Sequence, residues 1–442
     1  MKSMKWLLLV ATSVVAMSVP VQANEAVDRS YYELLIDRYN NGTTQNDRDV
    51  NHDDEFAYQG GDFIGVSDRV QHVADMNFTT VLVGNVFDAE RYDGKGIRSY
   101  ERVNEHFGTE EELRDMVEAF HKQSIEVVID VPLIWKGQSL DEEQQRQMIE
   151  KVATFIESND IDGVRFVETD AYDVRTLEER AAQLEQESKR FVIIADERVT
   201  ERAIVNEERT ELLQQTFAAF NEPTDAFVNW SLDESIPIAL DTLEGERMTK
   251  KMVDLRMFPP TRWHLAATAL FTLPGTPVMT YGSEIALNND LWQHPIMNFK
   301  TEMELKERIG QLNDLRNRSK TLRTGEVEWL HTEGDYLVWM RSSDDERWIV
   351  ALNNSDETRS IQLTADQIGD GKKMRGLLQD DLIRQNEDGT YYIVLTREMS
   401  DVYYVEEDQG YNVGYIVATA SVVVGFTIFL VAVLRRSNRQ SV

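Results

Sequence analysis

The loop Asp47-x-Asp49-x-Asn51-x-Asp53 sets oxygen-bearing side chains at alternate positions. An EF-hand loop uses that spacing, because Ca²⁺ takes about six to eight oxygen ligands at once. The loop lacks the glycine required at its sixth position, where His52 stands. It also lacks the bidentate glutamate at its twelfth, where Tyr58 stands. The EF-hand is therefore rejected. Thiol chemistry is excluded outright, because the chain has no Cys. That removes thiol nucleophiles, disulfide scaffolds and Cys-ligated zinc or iron–sulfur centres. The chain's chemical resource is oxygen, with 78 Asp and Glu against 46 Lys and Arg.

These residues need elements to position them. The chain has 442 residues, 42% of them hydrophobic, and only 9 prolines. It is long enough to bury one large domain and one smaller one. Its net charge is −32, and five cations lie outside residues 24–410, so that segment is more negative still. Such a body repels nucleic acid and anionic headgroups. Residues 1–23 read as a secretory signal peptide. Lys2 and Lys5 precede the apolar run Trp6–Met17, and Val21-Gln22-Ala23 is a small-x-small cleavage site. Val413–Leu434 is a charge-free run of 22 residues, long enough for a transmembrane helix. Tyr411 and Tyr415 flank it on one side and Arg435-Arg436 on the other, as at the outer and cytoplasmic faces. The expectation is an extracellular ectodomain on a single-pass anchor over 411–434. The tail 435–442 is then cytoplasmic, at the cell membrane of a bacterium.

Between these ends, apolar runs of strand type alternate with amphipathic helical stretches. The runs are Tyr32–Tyr39, Thr79–Val86, Glu126–Val131, Gly163–Val167, Phe191–Ala195, Ala226–Trp230, Lys251–Leu255 and Pro277–Tyr281. Glu110–Gln123, Asp141–Glu157, Val174–Glu187 and Glu207–Phe220 carry helical periodicity. Eight such alternations predict an α/β fold, a (β/α)₈ TIM barrel over 24–320. Past Leu322 short alternating strands take over, such as Tyr336–Arg341 and Trp348–Asn353. They predict a C-terminal antiparallel β-sandwich domain over 321–408.

Several blocks resemble the α-amylase family (glycoside hydrolase family 13). Tyr32-Glu33-Leu34-Leu35-Ile36-Asp37-Arg38-Tyr39-Asn40-Asn41-Gly42 is similar to its first strand. Tyr58-Gln59-Gly60-Gly61-Asp62-Phe63 and Phe107-Gly108-Thr109 are similar to later blocks, as is Asp225-Ala226-Phe227-Val228-Asn229-Trp230. The segment Leu273-Pro274-Gly275-Thr276-Pro277-Val278-Met279-Thr280-Tyr281-Gly282-Ser283-Glu284 resembles its eighth strand and loop. Leu315-Arg316 then leads into the C-terminal β-domain as in the family, and six blocks in order over about residues 30–400 make the resemblance specific. It implies cleavage of α-glucosidic bonds with retention, by two carboxyl groups about 5–5.5 Å apart.

The catalytic positions depart from the family pattern. The fourth strand, expected as Gly-x-Arg-x-Asp, reads Gly163-Val164-Arg165-Phe166-Val167. Arg165 is retained, but Val167 replaces the nucleophile and cannot form a glycosyl ester. Glu168 is adjacent, and strand alternation points it away from the barrel axis. Glu197 of Asp196-Glu197 matches the general acid as a residual carboxyl; otherwise it pairs with Arg165. In the third strand Asp130 survives, while Ile134 and Trp135 replace the Asn-His pair. Trp135 and Asp130 are the substrate-binding candidates, Trp135 as a stacking ring or else as a rim aromatic. The seventh strand, expected as Asn-His-Asp, has only the candidate Met252-Val253-Asp254-Leu255-Arg256-Met257. The family's sugar-stacking tyrosine falls near Lys95, and its inserted cleft domain is reduced or absent. The resemblance also implies a structural calcium site of Asn41, Thr43, Asn46, Asp47, Gly60 and Asp62; the alternative is a solvated acidic loop.

The expectation is thus an amylase-family pseudoenzyme of carbohydrate metabolism at the cell surface. It would bind a glycan, such as an α-glucan, or act as a scaffold for a protein partner, with no nucleic-acid role. The alternative is an active retaining α-glucan hydrolase using Glu197 and a displaced carboxylate such as Glu168, Asp170 or Asp173.

Overall fold

The computed structural model of the chain describes residues 26–199, 202–288, 294–301, 304–408, 410 and 413–439. The signal peptide expected over 1–23 lies outside them, as does Tyr411. Seven parallel strands form the central sheet: β1 (Tyr31–Glu33), β2 (Thr80–Asn85), β3 (Glu126–Pro132), β4 (Gly163–Val167), β5 (Phe191–Ile194), β6 (Pro237–Ala239) and β7 (Thr276–Thr280). Their order is β5-β4-β3-β2-β1-β7-β6. Parallel strands need crossovers, and these are α1 (Glu110–His121), α2 (Glu142–Ser158), α3 (Val174–Ser188), α4 (Glu207–Phe217), α5 (Met248–Asp254) and α6 (Pro259–Thr272). Thr109 and Asp141 open α1 and α2 with capping boxes, each worth about 1 kcal/mol.

Two barrel strands lie elsewhere than the sequence predicts. Ala226–Trp230 is not a strand, because Asp225–Asn229 forms a 3₁₀ helix. The sixth barrel position is filled by the stretch around Ala203, which bridges Ile194 of β5 in parallel. Ile204 joins Tyr31, Leu82, Val128, Ile193, Ala239 and Val278 in one buried cluster, so this segment contributes to the barrel interior. Lys251–Leu255 is likewise not the seventh strand. Met248, Thr249 and Met252 recur at helical spacing and are buried along α5. The seventh position belongs to β6, only three residues long. Gly163 opens β4 because a Cβ there would lie 2.7 Å from the Phe191 ring.

The C-terminal domain is an antiparallel sandwich. Its larger sheet contains β8 (Glu326–His331), β9 (Tyr336–Ser342), β10 (Arg347–Asn353), β12 (Lys372–Gly376), β13 (Leu382–Arg384) and β15 (Ser400–Glu407). The order is β8-β9-β10-β15-β12-β13. The pair β11 (Arg359–Thr364) and β14 (Thr390–Leu395) forms the smaller layer. Tyr336, Val338, Ile349, Leu363, Ile393 and Tyr403 are buried together in its core. The opposite side of the large sheet packs on the barrel, where Leu337, Trp339, Val350 and Val402 join the barrel's own core. α7 (Glu304–Arg318) leads from barrel to sandwich. After β15 comes α8 (Val413–Arg439), whose Val417, Val422, Phe426 and Ile428 are all more than half exposed. Among the described residues no helix is long and apolar enough to cross a membrane.

Candidate functional site

Every barrel strand ends at one face, where β-strand alternation sends selected side chains inward. Arg165 of β4 is buried there and gives its whole guanidinium to two carboxylates. Its Nε and Nη2 donate to Asp130 of β3 at 2.7 and 2.9 Å, and its Nη1 donates to Glu33 of β1. Glu33 Oε2 accepts from Thr280 Oγ1 of β7 at 3.0 Å, and the same hydroxyl lies 3.1 Å from the Asp241 carbonyl. Burial pushes the Asp130 carboxyl up, against the opposing pull of Arg165. The same two carboxylates hold the Arg165 guanidinium well above its ordinary range. A bidentate charged pair in a dry interior is a strong, oriented contact. All three of its nitrogens are engaged by these two carboxylates.

Asp241 follows β6 directly and is buried. It stands after the strand at the seventh barrel position, where the Asn-His-Asp pattern belongs, and is preceded by Ala239 and Leu240. Its Oδ2 accepts from Ser283 Oγ at 2.6 Å and Arg247 Nη1 at 3.5 Å, and its Oδ1 from the Met248 N–H at 2.6 Å. Reading α5 as a strand hid this residue. Its available sign was the short apolar step Pro237–Leu240 ending on a single acid. Glu33 was also missed as a site group, although one charge inside an apolar strand is itself a sign of a buried partner.

The other predicted residues scatter. Glu197 is exposed on the loop after β5, and its carboxylate accepts from the Glu207 N–H at 3.1 Å. The expected alternative, a pair with Arg165, is corrected: Arg165 is taken by Asp130 and Glu33. Its neighbour Asp196 is buried and held below the usual carboxylate range by Arg198. Val167 is half-buried at the end of β4. Asp170 is exposed, and Asp173 caps α3 through the Thr176 N–H. Glu168 departs from the expected alternation, because its φ of 57° ends the strand geometry in a left-handed turn. It lies in the field of Lys95, Asp93 and Glu244, carried by loops after the second and seventh barrel strands, and burial pushes its carboxyl up. Lys95, at the place expected for a tyrosine, reaches Asp93 at 3.8 Å and Glu244 at 3.6 Å. Trp135 stands half-buried on the hairpin Ile134–Ser139, with its ring 5.4 Å from that of Tyr100. Between this hairpin and β4 there is only α2.

The six residues expected to hold calcium gather, but as a hydrogen-bonded knot. Asp62 accepts from the N–H groups of Gly42, Thr43 and Gly65 at 2.6–3.2 Å. Asn41 Nδ2 donates to both oxygens of Asp47, and Asn46 Nδ2 donates to the His106 carbonyl. Gly60 is left-handed, and a Cβ there would lie 2.6 Å from Asn41 Nδ2 and 2.8 Å from Asp47 Oδ1. Calcium takes oxygens, and here both carboxylates face N–H groups. Among the described residues no group of three or more His, Cys, Asp or Glu is placed to hold a metal. Side-chain pairing occupies most of the set, while Asn46 Oδ1 is buried without a hydrogen-bond partner among the described residues, an oxygen of the kind such an ion takes.

Residues 33–151 match the family model described as the α-amylase catalytic domain, and 325–403 match the α-amylase C-terminal domain. An α-amylase from Anoxybacillus superposes with a TM-score of 0.82 at 25% identity, over 88% of this chain and 100% of that one. The α-amylase of Geobacillus thermoleovorans, solved with acarbose, superposes with a TM-score of 0.80 at 26% identity, over 87% and 100%. The amino acid transporter heavy chain SLC3A2 of Mus musculus is 21% identical over 385 residues, 74% of this chain and 70% of that one.

Proposed function

We propose, from the premise that the chain belongs to the α-amylase family, glycoside hydrolase family 13, that it binds saccharides without turning them over. The observation that carries this reading is the closed set Asp130–Arg165–Glu33 beside Val167. The strand-four arginine serves two buried structural carboxylates, and the adjacent nucleophile position holds an aliphatic side chain. Retaining hydrolysis needs a carboxylate there. Trp135 supplies the aromatic surface for a sugar face, and a relative of similar fold solved with acarbose supports a saccharide as the ligand.

The test is direct. The full-length protein is incubated with starch, maltooligosaccharides and an activated α-glucoside. Binding that Trp135→Ala weakens, with no product released, is expected. Turnover that Glu197→Gln abolishes would overturn the reading and establish the active alternative. Display at the cell surface through α8 belongs to the same proposal. Deleting 413–439 should move the protein from the membrane to the soluble fraction, and retention after deletion would remove the anchor. A second reading, a scaffold for a protein partner, draws on the similarity to the transporter heavy chain. Co-purification of a stoichiometric envelope protein, with no saccharide bound, would favour it.

A further inference from the structure

Glu168 combines three costs at one position. Its backbone is left-handed, at φ 57°, which is worth about 1–3 kcal/mol of strain for a non-glycine residue. Its Oε2 is buried and without a hydrogen-bond partner among the described residues, a deficit of about 1–3 kcal/mol or more for a charged group. Its neighbourhood is acidic, for Asp93 and Glu244 also face it, and Lys95 is shared with both of them. Strain and an unfilled acceptor held together at the mouth of a barrel mark a place for a ligand donor.

The aromatic side of the same mouth is close by. Leu133, two residues before Trp135, donates its N–H to the carbonyl of Val167, next to Glu168, at 3.0 Å, and Trp135 packs against Tyr100. A ring for a sugar face and an unfilled carboxylate oxygen therefore share one corner. We propose that Glu168 and Trp135 recognise an amino sugar, with the sugar ring on the indole and its protonated amine on Glu168 Oε2. An ammonium supplies the N–H donor that the oxygen lacks and the charge that the acidic mouth favours. A neutral hydroxyl would supply the donor alone. An anionic sugar meets a chain of net charge −32 and is repelled. The inference rests on the saccharide-binding reading above and names the class of saccharide.

The experiment compares three probes on the full-length protein by calorimetric titration: glucosamine oligomers, their N-acetylated counterparts and maltooligosaccharides. The expected result is that the glucosamine oligomer binds about tenfold or more tightly than its acetylated form. Glu168→Gln should bring that ratio to about one, with the melting temperature not lowered. Equal affinities for the charged and neutral oligomers overturn the inference while leaving saccharide binding standing. A preference that survives Glu168→Gln assigns it to the overall charge of the molecule and also overturns it. Loss of binding to all three probes overturns both this inference and the reading beneath it.

Discussion

Arg165 holds two buried carboxylates from two different strands, so its removal leaves both uncompensated. Breaking a buried charged network in this way costs about 3–5 kcal/mol. Arg165→Met should lower the unfolding free energy measured in urea by that amount, and Arg165→Met with Asp130→Leu and Glu33→Gln should recover much of it. At Glu168 the expected sign is opposite. Glu168→Gly relieves the left-handed strain and should raise stability by about 1 kcal/mol while losing any amine preference. An unchanged or lowered melting temperature would show that the turn is not strained. The individual site residues were unevenly legible. Arg165 and Val167 lie inside a strand pattern strong enough to number, so both were placed correctly. Glu168 was misjudged because alternation holds only while the strand continues, and a left-handed residue leaves no mark in composition. Asp241 was lost because its strand has three residues, too few for alternation to register.

Helix α1 ends on His121, whose Nε2 lies 2.8 Å from Asp162 Oδ2; the same oxygen accepts from the Val127 N–H at 2.7 Å. The contact ties a crossover helix to β3 and to the loop that opens β4. Asp162 raises the His121 pKa above its ordinary value, with Asp160 adding to it. A raised histidine gives stability that is full below the unfolded pKa of about 6.5 and lost as pH rises through the folded one. His121→Gln should therefore cost up to about 1 kcal/mol at pH 5 and little at pH 9. A penalty equal at both pH values would show that the ring acts by packing alone. The same scale explains the misplaced strands. Ala226–Trp230 is apolar because Phe227 and Trp230 stack with each other and Phe227 meets Trp329 of the C-terminal domain. Tertiary packing across domains produced a run that looks like a strand. The longer strands and the helices with caps were legible because their periodicity lasts several turns.

Barrel and sandwich share one continuous core, and Arg262 of α6 is fully buried at their junction. It donates to the Phe217 and Ala219 carbonyls at 3.0 and 2.7 Å and to Asn354 of the sandwich. Arg341 of β9 reaches Glu234 of the barrel at 2.7 Å, and the Trp339 indole lies 3.3 Å from the Thr272 carbonyl. The two domains should unfold in one transition, and residues 26–324 alone should be insoluble because Trp339 and Leu337 no longer cover α6. Two separated calorimetric transitions would show that they are independent. β15 is the strand that leaves this assembly toward α8. It runs between β10 and β12, its first half (Ser400–Tyr404) paired to β10 and its second half (Tyr403–Glu407) to β12. A pull applied through the tail would enter the molecule along that interior strand, in shear rather than peeling. The ladder bonds would then share the load instead of failing one by one, which makes this exit a mechanically robust handle for whatever the tail is fixed to.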